Sequence, residues 1–117
     1  MLLVEDEALV AALAVDALEE LGYRTVEAGN AKSALEIARG DTTIAFAIVD
    51  VGLPDARGDA LALELRKLRV GLPIIMATGY DGSTLDANLR SHPQTAVLSK
   101  PYDIAQLQSA IQSISKG

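Results

Sequence analysis

The sequence predicts an α/β fold in which helices cover both faces of a five-stranded parallel sheet. Short apolar runs alternate five times with amphipathic stretches, and this alternation is typical of consecutive strand–helix units. The runs at 44–49 and 72–77 are apolar almost throughout, as expected of parallel strands that are buried on both faces. No linker, repeat or low-complexity segment interrupts the pattern. We therefore expect one domain over residues 1–117, with no attached output module.

The pattern divides the chain into ten elements. In chain order we predict strand 2–4, helix 7–21, strand 23–28, helix 31–39, strand 44–49, helix 59–69, strand 72–77, helix 83–91, strand 95–98 and a last helix from 104. The last helix shows the helical spacing clearly, because its apolar stripe consists of Ile104, Leu107, Ile111 and Ile114.

Capping residues support several of these helix boundaries. Asn30 and Asp103 stand where the second and the last helix need an N-cap. Ser83 and Asp86 have the spacing of a capping box at the start of the fourth helix. Gly22 suits the C-terminal end of the first helix.

Polar residues follow the apolar runs at the ends where a parallel sheet binds its ligands. In a doubly wound sheet of the flavodoxin-like order 2-1-3-4-5, ligands bind outside the carboxyl ends of the strands. The residues at these ends are Glu5 and Asp6 after the first strand, Asp50 after the third, Thr78 after the fourth and Lys100 after the fifth. We expect three acids, a hydroxyl and an amine to meet at one edge of the sheet.

This set of groups suits phosphoryl transfer to a carboxylate. Three neighbouring carboxylates repel one another unless a cation is bound, and oxygen ligands of this kind favour Mg²⁺. The chain has no cysteine and a single histidine, His92, so a zinc or copper site is not expected. Asp50 is the carboxylate that the other groups flank, and aspartate is an established phosphoryl nucleophile.

Each of these residues also has a plain structural explanation. Asp50 and Asp55 could be turn residues around Pro54, the acids after the first strand could open a helical turn, and Lys100 could be a solvated surface lysine. Five such residues at one sheet edge nevertheless favour the functional interpretation.

Composition excludes several other classes of protein. The net charge is −6 and the basic residues are scattered, so we expect no nucleic-acid partner. No apolar run reaches the roughly 18 residues of a membrane span, and the N-terminus lacks the basic and apolar regions of a signal peptide. We therefore expect a cytoplasmic protein that does not bind membranes.

Four motifs in order resemble the receiver domain of two-component response regulators. They are "LLVEDE" (2–7), "IVDVGLPDARG" (48–58), "PIIMATGY" (73–80) and "LSKP" (98–101). The resemblance implies a phosphorelay role, in which Asp50 accepts a phosphoryl group from a histidine kinase or a histidine phosphotransfer protein. It also implies that Thr78 and Lys100 hold the phosphoryl oxygens. The chain would then alter a contact with a downstream protein.

The same resemblance implies a magnesium site. Asp6 and Asp50 would bind Mg²⁺ directly, Glu5 would act largely through water, and the backbone carbonyl of Gly52 would be a further ligand.

One position departs from the usual receiver pattern. Receivers commonly place an aromatic switch residue three positions before the lysine, and here that residue is Val97. The third motif, "PIIMATGY" (73–80) with Thr78 and Tyr80, is similar to that of the single-domain FAT GUY receivers. We hypothesise that Tyr80 takes over part of the signalling role. The face formed by the fourth helix, the fifth strand and the fifth helix, with Tyr80, Val97 and Tyr102, is the expected contact for the downstream protein.

Two alternatives remain open from the sequence. The chain could be the receiver of a hybrid histidine kinase. A small Mg²⁺-dependent phosphatase of the haloacid dehalogenase type would also use an aspartate nucleophile, but it needs an acid at the position of Gly52. We favour a phosphorylation-controlled binding module, monomeric or weakly dimeric, over an enzyme.

Overall fold

Five short segments form a parallel sheet in the computed structural model, which describes residues 1–40, 44–79, 94–100 and 102–115. The strands are β1 (Leu2–Val4), β2 (Val26–Ala28), β3 (Ala47–Asp50), β4 (Ile74–Thr78) and β5 (Thr95–Ser99). All four pairings are parallel, and the strand order is β2-β1-β3-β4-β5. The predicted fold class is confirmed.

Four helices lie within the described ranges. They are α1 (Ala8–Glu20), α2 (Ala31–Arg39), α3 (Gly58–Leu68) and α4 (Ile104–Ser115). The predicted helix over 83–91, with its capping box, falls outside the described residues. In the part of the chain that the structure covers, no helix combines the length and the apolar character needed to cross a membrane.

Side chains of alternating strand residues pack into two separate hydrophobic cores, one on each face of the sheet. Leu2 and Val4 join one core, whereas Leu3 between them joins the other. The first core packs beneath α2 and α3, and the second beneath α1 and α4. All residues of β3 and β4 are buried, as predicted for strands covered on both faces.

The predicted caps of the described helices are confirmed. Asn30 Oδ1 accepts a hydrogen bond from the Ser33 N–H at 2.8 Å. Asp103 and Gln106 form a reciprocal capping box with bonds of 2.8 and 2.9 Å. Gly22 ends α1 with a φ of +94°, a left-handed conformation that favours glycine.

Four strands differ from their predicted bounds. The fourth was predicted over 72–77 and spans Ile74–Thr78, and the fifth was predicted over 95–98 and spans Thr95–Ser99. The second was predicted over 23–28, but it begins at Val26, because β1 offers it only three partner residues. The third was predicted over 44–49, yet Ile44 and Phe46 are buried ahead of the strand rather than within it. The Phe46 carbonyl still accepts a hydrogen bond from the Leu2 N–H at 3.1 Å, so the buried segment stays hydrogen-bonded to β1 for one residue ahead of β3. At its other end β3 extends one residue beyond the prediction, so Asp50 is its last residue and pairs with Ala77 of β4.

Candidate functional site

The carboxyl edge of the sheet brings three acids together. Glu5 directly follows β1, Asp50 ends the neighbouring β3, and Asp6 completes the group. Carboxylate oxygens of these residues lie within 4.8 Å of one another. Glu5 and Asp50 are buried, whereas Asp6 is exposed. The structure thus assembles the three acids that the sequence predicts as metal ligands.

Lys100 bridges the two buried carboxylates. Its Nζ lies 2.9 Å from Glu5 Oε1 and 3.2 Å from Asp50 Oδ1. The Lys100 N–H donates to the Thr78 carbonyl at 2.8 Å, which extends the β4–β5 pairing by one residue. This backbone bond holds the lysine over the ends of the central strands.

Burial and charge set different protonation preferences for the two acids. Burial, with the adjacent Asp50 carboxylate, raises the pKa of Glu5 to about 7, although Lys100 opposes this shift. Burial would also raise the pKa of Asp50. Hydrogen bonds to Glu5 and to the Gly52 N–H, together with the Lys100 charge, outweigh burial and lower the pKa of Asp50 below its usual range. Asp50 therefore loses its proton at a lower pH than Glu5.

A cleft opens above Asp50. Thr78, Lys100, Gly52 and Arg57 are among its lining residues. Thr78 is the last residue of β4 and is almost fully buried. A Cβ added at Gly52 would meet nothing within 4 Å, so this side of the carboxylate is unobstructed. A hydroxyl donor, an ammonium and an accessible carboxylate thus border one cavity.

Gly58 is a structural requirement of the site that sequence reasoning missed. A Cβ at this position would collide with the backbone carbonyl oxygen of Asp50, and Val51 Cα would lie 2.7 Å away. The first residue of α3 therefore packs directly against the backbone of β3. A glycine at the start of a predicted helix was the available signal.

Asp55 also has a role that the sequence did not reveal. Its Oδ1 accepts from the Ala31 N–H at 2.9 Å and its Oδ2 from the Lys32 N–H at 3.1 Å. From the loop between β3 and α3, Asp55 thus caps the N-terminus of α2. The sequence suggested only a turn residue, because a cap from a distant segment leaves no local pattern.

The predicted signalling residues are distributed over two grooves. Val97 is 41% exposed and lines a groove between β5 and α4. Tyr102 is half-buried and lines a second groove between α1 and α4, which Lys100 also borders. Burial, and then the charge of Glu5, raises the pKa of Tyr102. Tyr80 lies outside the described residues, so its signalling role remains a hypothesis.

Comparisons with known proteins are consistent across the chain. The family model for the response regulator receiver domain matches residues 1–112. The sensor kinase CckA of Brucella abortus (strain 2308) is 33% identical over 117 residues, which is 97% of this chain and 12% of that protein. The transcriptional regulatory protein PdtaR of Mycobacterium tuberculosis (strain ATCC 25618 / H37Rv) is 34% identical over 113 residues, or 96% of this chain and 54% of the regulator. This chain thus spans only part of each relative.

Solved structures agree with the sequence relatives. The receiver domain of the hybrid histidine kinase CckA has a TM-score of 0.80 and 31% identity, with 97% of this chain and 96% of the other covered. A CheY-like receiver domain from Methylobacillus flagellatus has a TM-score of 0.84 and 29% identity, with 97% and 95% covered. With the assembled acids, the bridging lysine and the sheet order, these matches show that the chain belongs to the response regulator receiver domain family.

Proposed function

We propose that this receiver takes a phosphoryl group on Asp50 from the phosphohistidine of a kinase or a phosphotransfer protein, in a Mg²⁺-dependent reaction. The observation that carries the proposal is the position of the buried Asp50 carboxylate, which contacts Lys100 and lines an open cleft. In the transfer, an Asp50 oxygen forms a bond to phosphorus while the bond from phosphorus to the donor imidazole nitrogen breaks. The bonding electrons return to that nitrogen, and a proton on the other ring nitrogen of the donor lets the imidazole leave as neutral histidine beside the acyl phosphate.

The residues at this edge fit a magnesium ion. Glu5, Asp6 and Asp50 offer carboxylate oxygens within 4.8 Å of one another, and Gly52 adjoins Asp50. This oxygen-only set matches the preference of Mg²⁺ over softer metals. When bound there, Mg²⁺ would offset negative charge on the phosphoryl oxygens.

Lys100 and Thr78 complete the proposed phosphoryl site. Lys100 already contacts Asp50 at 3.2 Å, so its ammonium can stabilise charge that develops on the incoming group. Thr78 ends the adjacent strand and lines the same cleft, where its hydroxyl can donate to a phosphoryl oxygen. These roles leave Asp50 as the group that changes covalently.

A protein partner suits the surface beside the cleft. Leu9 and Leu13 of α1 are 74% and 64% exposed, which the predicted helix pattern did not anticipate. Leu13 lines the groove between α1 and α4, and Glu7 and Lys100 border both this groove and the acceptor cleft. A phosphohistidine protein seated on these apolar side chains would reach Asp50. The sensor kinase relatives support this class of donor.

The role that follows is a phosphorylation-controlled binding module in the cytoplasm rather than an enzyme. An aspartate-nucleophile phosphatase needs an acidic residue two positions after its nucleophile, and here that position is Gly52. The kinship with a hybrid-kinase receiver and with transcriptional regulators supports both arrangements that the sequence left open, a receiver within a hybrid kinase and a response regulator.

Intact-mass spectrometry after incubation with acetyl phosphate tests the proposal. We expect the wild-type protein to gain one phosphoryl group with Mg²⁺ and not with excess chelator. Asp50→Asn should show no gain. Asp16→Asn, which removes an exposed acid of α1, is the matched control and should behave as wild type. A gain in Asp50→Asn equal to that of wild type would overturn the proposal.

A further inference from the structure

The loop that follows the phosphoacceptor strand is fastened to a helix on the same face of the sheet. This loop, residues 51–57, is called the acceptor loop below. The Asp55 carboxylate near its tip accepts the first two N–H groups of α2, from Ala31 at 2.9 Å and from Lys32 at 3.1 Å. Each carboxylate oxygen thus has its own donor. The positive end of the helix favours an anion at this point.

The other contacts of the acceptor loop lie closer to its base, where Gly52 and Arg57 form an antiparallel bridge and Arg57 Nε donates to Asp59 Oδ1 at 3.0 Å. The Val51 N–H donates to the Ala77 carbonyl at 3.0 Å, and the Gly58 N–H closes the loop on the Val51 carbonyl at 2.8 Å. The Gly52 N–H donates to Asp50 Oδ1 at 3.2 Å. Asp55 itself is exposed, so its ordering depends on these two bonds rather than on burial. Asp55 therefore joins the tip of the acceptor loop to the end of α2, and Gly52 lies on the same loop.

We infer that Asp55 is a positioning residue, which holds the acceptor loop so that Gly52 stays beside Asp50 at the metal and phosphoryl site. The inference rests on the proposed function, because it assigns Asp55 a part in preparing that same site. Asp55 lines the same cleft as Asp50, but its two carboxylate oxygens accept hydrogen bonds from α2. Its effect passes through Gly52, whose amide already contacts the acceptor carboxylate. A site that is held in place before binding loses less conformational entropy when the ligand binds than a mobile site does.

A purely structural cap makes a different prediction, and the chain offers a matched control. Asn30 caps the same end of α2 through the Ser33 N–H at 2.8 Å, but it lies outside the acceptor loop. Asn30→Ala and Asp55→Ala should both lower the urea midpoint, since each removes a cap. Only Asp55→Ala should also disturb the acceptor site.

The test measures Mg²⁺ affinity by titration calorimetry and the rate of phosphorylation by acetyl phosphate. For Asp55→Ala we expect the Kd for Mg²⁺ to rise about fivefold and the rate at subsaturating Mg²⁺ to fall by about the same factor. Asn30→Ala should stay within about twofold of wild type in both measurements. Asp55→Asn keeps one acceptor and removes the charge, so it should recover most of the loss if position, rather than charge, is the cause.

The outcomes separate the two proposals. If wild type binds Mg²⁺ and is phosphorylated, but Asp55→Ala behaves like Asn30→Ala, the positioning role is overturned and the proposed function stands. Equal losses in Asp55→Asn and Asp55→Ala would also overturn it, because long-range charge would then explain the effect. If wild type neither binds Mg²⁺ nor takes a phosphoryl group, both proposals fail.

Discussion

Lys100 offsets the negative charge of Glu5 and Asp50 at the carboxyl edge of the sheet. Its ammonium lies 2.9 Å from Glu5 and 3.2 Å from Asp50, and its side chain is only 17% exposed. Two buried carboxylates would otherwise face each other across neighbouring strands. Removing one partner from a buried ionic group leaves an uncompensated charge, which is far more costly than losing a surface ion pair.

Replacing this lysine should therefore destabilise the protein when no metal is supplied. We expect Lys100→Met to lower the free energy of unfolding by about 2 kcal/mol at pH 7, measured by urea denaturation in the presence of a chelator. Lys67→Met is the matched control. Lys67 is exposed and lies 4.0 Å from Glu64, so its loss should cost less than about 0.5 kcal/mol. Similar losses in the two variants would contradict this account of Lys100.

The junction between β3 and α3 depends on close backbone contact. Gly58 begins α3, and its Cα packs against the Asp50 carbonyl with no room for a side chain. The Gly58 N–H also donates to the Val51 carbonyl at 2.8 Å. The helix therefore constrains the path of the backbone that carries Asp50.

A methyl group at this junction should be poorly tolerated. We expect Gly58→Ala to lower the free energy of unfolding by about 3 kcal/mol, because either α3 or the end of β3 has to move. Urea denaturation provides the measurement. Gly29→Ala is the control, since a Cβ there would meet nothing within 4 Å, and it should change stability by less than about 1 kcal/mol. A tolerated Gly58→Ala would show that the junction adjusts freely.

Long-range contacts join α2 to the rest of the molecule at both ends. Asp55 caps its N-terminus. Arg69, just after α3, donates to the Ala38 carbonyl at 3.2 Å and to the Gly40 carbonyl at 3.1 Å at the other end. The helix is thus held between the acceptor loop and the end of α3.

The Asp55 cap also predicts part of the pH dependence of stability. The N–H groups of Ala31 and then Lys32 hold the pKa of the Asp55 carboxyl below its usual range. Because the pKa is lower in the folded state, the stabilisation is complete above the unfolded value of about 3.9 and is lost as the pH falls through the folded value. Wild type should be more stable than Asp55→Asn at pH 7, and the gap between their urea midpoints should narrow below about pH 3.9. A gap that stays constant with pH would argue against an ionised cap.

Much of the fold and of the acceptor edge followed from local patterns in the sequence. The alternation of apolar runs and helices predicted the parallel sheet, and its order came from the flavodoxin-like fold class. The residues after the strands predicted that Glu5, Asp6 and Asp50 would meet. Strand bounds were less predictable, because the length of β2 depends on its partner β1 and not on its own residues. The roles of Asp55 and Gly58 depend on contacts with distant or sharply turning backbone. The spacing of apolar residues along the sequence does not predict such contacts.

The central claim is that Asp50 itself becomes the acyl phosphate, and borohydride trapping tests this most directly. Sodium borohydride reduces an acyl phosphate to an alcohol, so phosphorylated Asp50 would be converted to homoserine. After treatment with acetyl phosphate and Mg²⁺, we expect peptide mapping to find homoserine at position 50 and none in a sample treated without Mg²⁺. Homoserine at another acid such as Asp6 or Asp55, or a phosphoryl gain with no reducible residue at position 50, would contradict the account.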